Sequence, residues 1–298
     1  MNNTIRTPED RFKNLPGYDF SPNYLEVGDG LRMHYVDEGT EDAPLVLLLH
    51  GEPSWSYLYR KMIPVLIDGG FRVVAPDFIG FGKSDKLTEK AAYTYQIHLD
   101  WMTDFLRQLN LQNIHLFCQD WGGLIGLRLV AAMPDRFAKI VASNTMLPTG
   151  QHKVSDAFKA WLEFTQNSPK FDIGRVIQMA TITDLPDEVV AAYNAPFPSD
   201  EYKAGARIFP SLVPITEDNP EGINNREAWE ALKQWDKPFL TIFGDMDMIT
   251  KGGERVFQKL IPGTQGQPHT TLHAGHFIQE DVGEELVGLM VEFFKNVA

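Results

Sequence analysis

The sequence predicts an α/β fold with a mostly parallel sheet, helices on both faces of the sheet and an inserted helical cap. Apolar strand patterns alternate with helical patterns through the first half of the chain and again near its end. This alternation stops between residues 146 and 215, where the patterns are helical or loop-like. A chain of 298 residues can bury one large core and still carry such an insertion.

The elements of the sheet are predicted in chain order from short apolar runs. Two alternating segments, 24–27 and 31–36, flank Gly28-Asp-Gly and predict an antiparallel hairpin at the sheet edge. Buried strands are expected at residues 45–49, 72–75, 113–118, 138–143 and 238–243. Prolines at positions 169, 186, 196, 198, 210 and 214 interrupt the following segment. We therefore predict a core formed by residues 1–145 and 216–298, and a cap formed by residues 146–215.

Residues 113–126 place an acid at a sharp turn between a strand and a glycine-rich helix start. In such a turn the side chain of Asp120 would stand over the end of the parallel sheet, and small neighbours would let strand and helix pack closely. Those neighbours are Cys118, Gly122 and Gly123. Cys118 replaces the usual glycine and is interpreted as a buried packing residue, since a single cysteine cannot form an intrachain disulfide.

An aspartate at this turn suits alkyl transfer. A carboxylate that displaces a leaving group from saturated carbon forms an ester that water can cleave, whereas a serine would form a stable ether. Backbone N–H groups and the dipole of the following helix would favour the ionised form of Asp120. Helix capping is the alternative role, because aspartate is a favoured N-cap residue.

An acid and a base follow in the order nucleophile, acid, histidine. Residues 237–247 form a strand pattern that ends in a polar turn, and residues 270–276 form a short strand pattern followed by a loop. We expect Asp247 and His276 to be the partners of Asp120. Asp245 is the competing acid two positions earlier, and either aspartate could instead cap a local turn.

A His-Gly loop lies upstream, where residues 45–51 form a strand pattern that runs into Glu52-Pro-Ser-Trp. A loop at this place supplies one backbone N–H of an oxyanion hole, and the residue after the nucleophile supplies the other. The expected donors are the N–H groups of Glu52 and Trp121. They would stabilise negative charge on Asp120 when water attacks its alkyl ester.

We expect no metal and no cofactor. His269, His273 and His276 are spaced by four and three residues, which would converge only on a helix, whereas Pro268 and two threonines predict an extended segment. No C-x-x-C or H-E-x-x-H pattern occurs in the sequence. The other histidines are interpreted as surface or structural residues, at positions 50, 98, 115 and 152.

Charge and hydropathy narrow the classes of partner. The net charge of −13, without a Lys/Arg run, argues against nucleic acid. No apolar stretch approaches the length of a membrane span, and residues 1–10 lack the apolar run of a signal peptide. The sequence therefore predicts a cytoplasmic protein with no membrane partner. It leaves the oligomeric state open.

Four segments resemble the haloalkane dehalogenases of the α/β-hydrolase fold, and the likeness spans nearly the whole chain. They are residues 50–60 (His-Gly-Glu-Pro-Ser-Trp-Ser-Tyr-Leu-Tyr-Arg), 75–85 (Ala-Pro-Asp-Phe-Ile-Gly-Phe-Gly-Lys-Ser-Asp), 119–123 (Gln-Asp-Trp-Gly-Gly) and 274–280 (Ala-Gly-His-Phe-Ile-Gln-Glu). One branch of the family carries asparagine after the His-Gly pair. Glu52 at this position resembles the other branch, which takes its second halide donor from the cap.

The resemblance implies that Trp121 and Trp161 hold the departing halide through their indole N–H groups, which donate but cannot accept. On periodicity alone, Trp161 belongs to an ordinary apolar helix stripe with Phe158, Leu162 and Thr165. The resemblance also implies a substrate cavity lined by Leu124, Phe158, Phe209, Pro210 and Val213.

Three functions fit these residues. The preferred one is a haloalkane dehalogenase, with a small halogenated alkane, water and the halide ion as its partners and a primary alcohol as its product. An epoxide hydrolase would use the same aspartate and histidine with tyrosine donors from the cap, where Tyr193 and Tyr202 are available. A ligand-binding protein on the same fold is the non-enzymatic alternative. Trp121, Glu52 and Trp161 favour dehalogenation.

Overall fold

The computed structural model describes residues 3–296. Its strands are β1 (Thr4–Ile5), β2 (Asn23–Val27), β3 (Leu31–Glu38), β4 (Leu45–Leu49), β5 (Arg72–Pro76), β6 (Lys86–Leu87), β7 (Ile114–Gln119), β8 (Phe137–Ser143), β9 (Phe239–Gly244) and β10 (Thr270–Leu272). Its α-helices are α1 (Met62–Asp68), α2 (Tyr95–Gln108), α3 (Trp121–Ala132), α4 (Asp156–Asn167), α5 (Ile173–Met179), α6 (Asp187–Asn194), α7 (Ala204–Leu212), α8 (Pro220–Leu232), α9 (Glu254–Leu260) and α10 (Ile278–Lys295).

Eight strands form one sheet in the order β10-β9-β8-β7-β4-β5-β3-β2. The six strands from β10 to β5 are parallel, and β3 and β2 add an antiparallel hairpin at one edge. The predicted α/β fold class is therefore confirmed. The five buried strands lie within one residue of their predicted bounds at either end. β1 and β6 pair separately over two residues each, which is too short to give a sequence pattern.

The central strands are buried because helices cover both faces of the sheet. Every residue of β4 and β9 is buried, as the continuous apolar runs predict for parallel strands between two helical layers. The loops that leave β4, β7, β8 and β9 meet at the carboxyl edge of the sheet. This edge is where the predicted catalytic residues are found.

Residues 146–215, all of them described, contain the four helices α4 to α7 and no strand. α4 packs on α7, and α5 packs on α6. α4 begins at Ser155, whose hydroxyl accepts the N–H of Phe158 at 3.1 Å in an N-cap, and this fixes the helix start ahead of Trp161. Within residues 3–296, no helix is both long and apolar enough to cross a bilayer.

Two contacts tie this segment to α10. The hydroxyl of Tyr193, on α6, donates to the buried carboxylate of Glu280, which also pairs with the guanidinium of Arg60. At the other contact, Asp281 accepts the backbone N–H groups of Ile182 and Thr183 at 3.0 and 2.8 Å. The start of α10 is thus bonded to the segment that covers the sheet edge.

Candidate active site

Asp120 lies between β7 and α3 in a backbone conformation that few residues adopt, with φ 51° and ψ −124°. Close packing around the turn explains its small neighbours. A Cβ added at Gly122 would overlap the carbonyl of Leu49, and one added at Gly123 would overlap the side chain of Thr145. The carboxylate of Asp120 makes no capping bond to its own helix. The turn therefore presents the carboxylate above the sheet edge rather than using it as a cap.

The two carboxylate oxygens of Asp120 have different neighbours. Oδ1 accepts the backbone N–H of Glu52 at 2.7 Å. Oδ2 lies 3.5 Å from Nε2 of His276. No hydrogen bond joins the N–H of Trp121 to this carboxylate among the described residues, so the second oxyanion donor stays a prediction. One oxygen thus lies in a backbone donor site, and the other faces the imidazole.

Asp247, rather than Asp245, lies beside His276. Its Oδ2 is 3.0 Å from Nδ1 of the histidine. Its carboxylate also accepts the N–H of Ile249 at 2.8 Å and the hydroxyl of Thr250. Burial favours the neutral carboxyl, but the charge and hydrogen bond of His276 outweigh it and lower the pKa of Asp247 to about 2. Asp247 is therefore an anion that orients the imidazole.

His276 lies between two carboxylates, and this sets its charge. Burial disfavours the imidazolium, but the negative charges of Asp247 and Asp120 outweigh the effect of burial and raise the pKa of His276. The two neighbouring carboxylates therefore favour the protonated form of the ring. Loss of either negative charge would lower its pKa again.

Two residues that hold the histidine loop were not predicted from the sequence. The Asn144 side chain donates to the carbonyls of Gly275 and His276 at 2.8 and 2.9 Å and accepts the N–H of Gly244 at 2.7 Å. The Gln119 amide nitrogen lies 3.1 Å from Nε2 of His276. Asn144 directly follows β8 and Gln119 ends β7, so their places at the carboxyl edge are the available signal. No motif marks them.

A cavity of about 190 Å³ opens above Asp120 and His276. Four residues implied by the resemblance line it, together with both tryptophans: Leu124, Phe158, Pro210, Val213, Trp121 and Trp161. The structure adds further lining residues from loops and helix ends, where no pattern singles them out: Pro53, Thr145, Met146, Val176, Met179, Ala180, Ile249, Thr250 and Phe277. The cavity is mostly apolar, with its polar groups gathered around the nucleophile.

The expectation that Phe209 lines the substrate cavity is corrected by the structure, in which Phe209 is not among the lining residues. Its ring is fully buried and packs edge-on against Trp121, with ring centroids 4.5 Å apart. Successive residues of a helix point about 100° apart, so on α7 Pro210 can face the cavity while Phe209 faces the packed interior. Phe209 therefore supports the indole of Trp121 from behind.

The carboxyl of Glu52 also faces the cavity. The residue is 4% exposed, and its Oε1 has no hydrogen-bond partner within residues 3–296. Burial and the neighbouring charge of Asp120 raise the pKa of Glu52 well above its usual range, against the opposing effects of His276 and the Trp161 indole. The environment beside the nucleophile therefore favours the neutral form of this carboxyl.

The two cap tyrosines considered as epoxide donors do not line the catalytic cavity. Tyr193 is fully buried and donates to Glu280. Tyr202 is partly buried against the apolar core. Neither hydroxyl is therefore available to a substrate held above Asp120.

The three clustered histidines point to different partners. His269 contacts Thr241 and the carbonyl of Thr264, and His273 pairs with Asp245 at 3.1 Å. Across residues 3–296, no group of three or more His, Cys, Asp and Glu side chains is placed to hold a metal ion.

Comparison with known proteins gives consistent matches. Residues 44–281 match the alpha/beta hydrolase fold family. The chain is 58% identical over 297 residues to a haloalkane dehalogenase of Psychrobacter cryohalolentis, covering 98% of each chain. It is 49% identical over 293 residues to one of Mycobacterium marinum, covering 97% of this chain and 99% of that one. The tetrameric haloalkane dehalogenase of Paraglaciecola agarilytica NO2 superimposes with a TM-score of 0.92 at 35% identity, covering 99% of this chain and all of the other.

Proposed function

This chain belongs to the haloalkane dehalogenases, α/β hydrolases that act on carbon–halide bonds, and we propose that Asp120, His276 and Asp247 are its catalytic triad. The observation that carries the proposal is the position of the Asp120 carboxylate. One of its oxygens accepts the N–H of Glu52 and the other faces His276, in a cavity that two tryptophans also line. Residues 146–215 serve as the cap over this cavity, and the described residues on either side of it, 3–145 and 216–296, form the core.

In the first step, Oδ2 of Asp120 attacks the halogen-bearing carbon of a small haloalkane. A carbon–oxygen bond forms while the carbon–halogen bond breaks, and the halide leaves with the bonding electron pair. The indole N–H groups of Trp121 and Trp161 hold the halide. These donors interact more strongly with the departing anion than with the neutral haloalkane, so they lower the barrier rather than merely bind the substrate.

In the second step, His276 removes a proton from water, and the resulting hydroxide attacks the carboxyl carbon of the ester on Asp120. Oδ1 takes the negative charge in the site formed by the N–H groups of Glu52 and Trp121. Collapse of this intermediate breaks the bond between the carboxyl carbon and Oδ2, and the leaving oxygen takes a proton from His276 to give the primary alcohol. The hydroxyl derived from water then returns its proton to the imidazole, which restores the carboxylate with one oxygen from water. Asp247 stabilises the imidazolium that forms.

Ester formation itself prepares the base. Alkylation neutralises Asp120, one of the two charges that raise the pKa of His276. The imidazolium then becomes a stronger acid and releases its proton to solvent, as the net proton of the reaction, which leaves a neutral ring that can accept one from water. The charge on Asp120 thus determines the order of the two steps: His276 becomes a base only after the ester has formed.

The position of the tyrosines favours dehalogenation over epoxide opening. In the epoxide-hydrolase alternative, cap tyrosines donate to the epoxide oxygen as the ring opens, and neither Tyr193 nor Tyr202 lines the catalytic cavity. Indole N–H groups suit a halide, which requires no proton.

The cytoplasmic location of the protein stays a prediction from the sequence.

Halide release is the direct test of the reaction. The purified protein is expected to release bromide from 1,2-dibromoethane and 1-bromobutane, to leave simple epoxides intact and to keep its activity in EDTA. Ion chromatography measures the bromide, and gas chromatography measures the alcohol and the diol. Epoxide opening without halide release would contradict the assignment, and binding of haloalkanes without turnover would support the non-enzymatic alternative.

A second test concerns the charge of Glu52. Because its pKa is raised, the neutral form should persist at neutral pH and ionise only as the pH rises. Ionisation would place a second anion beside Asp120 and the bound halide, so bromide affinity should fall by up to about tenfold per pH unit above that point. Glu52→Gln, which stays neutral, should lack this loss. Bromide quenching of tryptophan fluorescence measures the affinity in both proteins.

The titration of His276 is common to both proteins, so the part of the alkaline loss that Glu52→Gln removes is due to Glu52. Glu284→Gln, an exposed change on α10, is the matched control and should follow the wild-type profile. If Glu52→Gln loses bromide affinity over the same alkaline range as the wild type, then Glu52 is not the group responsible.

A further inference from the structure

We propose that a second cavity beside the catalytic one binds the distal end of an elongated, unbranched haloalkane, and that the enzyme therefore acts on substrates longer than the catalytic cavity. This cavity is formed by residues 146–155 and Phe158, the residues that follow α7, and residues of α8 and α9. The inference rests on the proposed function, since it presupposes that Asp120 attacks the halogen-bearing carbon.

The sizes of the two cavities favour binding of the reacting end of the substrate in the catalytic cavity and of its distal end in the second cavity. The catalytic cavity measures about 190 Å³ and the second cavity about 580 Å³. Small-molecule sites in proteins commonly measure about 300–1,000 Å³. The catalytic cavity alone falls below this range and suits a short haloalkane. A longer chain needs the second space.

The two cavities are neighbours across a single layer of side chains. Four residues contribute to the lining of both: Met146, Phe158, Val213 and Ile249. Unbranched and long side chains such as methionine can change rotamer without movement of the backbone. A hydrocarbon chain can therefore pass from the reacting carbon into the second cavity by displacing side chains alone.

The inner part of the second cavity has an apolar lining that suits a hydrocarbon chain. Leu147, Trp229 and Phe257 line it, and all three are buried. The indole N–H of Trp229 already donates to the carbonyl of Leu147 at 2.9 Å, so the ring offers an apolar face rather than a donor. Transfer of methylene groups from water to such a surface is favourable.

The charged groups of the second cavity lie on its outer rim. Arg226 donates to the carbonyls of Thr149 and Glu217 at 2.7 and 3.2 Å. Lys233 pairs with Glu230 at 2.6 Å. Lys153 and His152 are exposed at the rim, away from the buried apolar wall. We take the buried wall to set the chemistry of the distal end, which is then a plain alkyl chain.

Filling the second cavity should shorten the substrates that the enzyme prefers. Val256, on α9, lines the second cavity but not the catalytic one, and at 46% exposure it can accept a larger side chain. In Val256→Trp, the ratio of kcat/KM for 1-bromohexane to that for 1,2-dibromoethane is expected to fall by roughly fifteenfold, which corresponds to about two methylenes at roughly fourfold each. Val154→Trp adds the same ring at another lining residue and should act in the same direction.

Lys259→Trp is the matched control, because it adds the same ring to an exposed position of α9 that lines neither cavity. Its ratio should equal that of the wild type. Folded Val256→Trp and Val154→Trp proteins with an unchanged ratio would overturn the proposal. Failure of the wild type to release bromide from either substrate would instead contradict the proposed function.

Discussion

His276→Phe is expected to release one halide per active site and then stop as a covalent alkyl ester on Asp120. The attack of the carboxylate on carbon needs no base, whereas cleavage of the ester needs a proton to be taken from water. General-base assistance contributes typically ~10²–10⁴-fold, so the second step should slow by about that factor. The bulk of the ring is kept while its proton acceptor is lost.

Intact-protein mass spectrometry after brief exposure to 1-bromobutane should show the added alkyl mass. Peptide mapping should place that mass between Ile114 and Arg128, the segment that contains Asp120. His273→Phe is the matched control, because His273 is close in sequence but its side chain is 72% exposed and paired with Asp245. That control should turn over without accumulating an adduct. A His276→Phe protein that binds bromide normally yet carries no adduct would contradict the aspartyl-ester mechanism.

Trp161→Phe is expected to keep the fold and lose about ten- to a hundredfold of the rate of carbon–halogen cleavage. A ring of similar shape remains, but one of the two indole donors to the developing halide is removed. A hydrogen bond to a charged partner is worth about 1.5–3 kcal/mol, which corresponds to this range. α4 buries few of its residues completely, so the substitution should cost little stability.

Rapid-quench measurement of the first halide released isolates the cleavage step from ester hydrolysis. Trp235→Phe provides the control, since this buried indole does not line the catalytic cavity and should leave the first step unchanged. An unaltered cleavage rate in Trp161→Phe, together with unaltered bromide affinity, would assign Trp161 to packing alone.

The sheet and the nucleophile turn were predictable because their physical requirements are local. A buried parallel strand needs a continuous apolar run, and the turn at Asp120 needs small residues at Gly122 and Gly123, where a Cβ would overlap neighbouring atoms. The sequence could only partly distinguish Asp247 from Asp245 as the acid, because it does not fix which of two nearby loop residues points to the histidine. The structure pairs Asp247 with His276 at 3.0 Å and Asp245 with His273 at 3.1 Å.

The parts that were not predicted depend on contacts between distant segments. Asn144 bridges Gly244 and Gly275, which lie about one hundred residues or more further along the chain, and no local pattern marks such a bridge. Phe209 was placed in the cavity, but the rotation of α7 turns its ring onto Trp121. Helix rotation is set by packing against α4, which one-dimensional periodicity does not encode.

The buried contact between Tyr193 and Glu280 sets the route by which this protein could evolve a different reaction. The hydroxyl of Tyr193 is used in a hydrogen bond between α6 and α10. Substitution of Tyr193 would therefore weaken the contact between these helices without adding or removing a proton donor above the nucleophile. A change from halide displacement to epoxide opening could instead begin at Trp161, which lines the catalytic cavity and where a tyrosine would add a phenolic donor. The nucleophile, base and acid of the core could then stay unchanged, and the two activities would differ through residues of the cap.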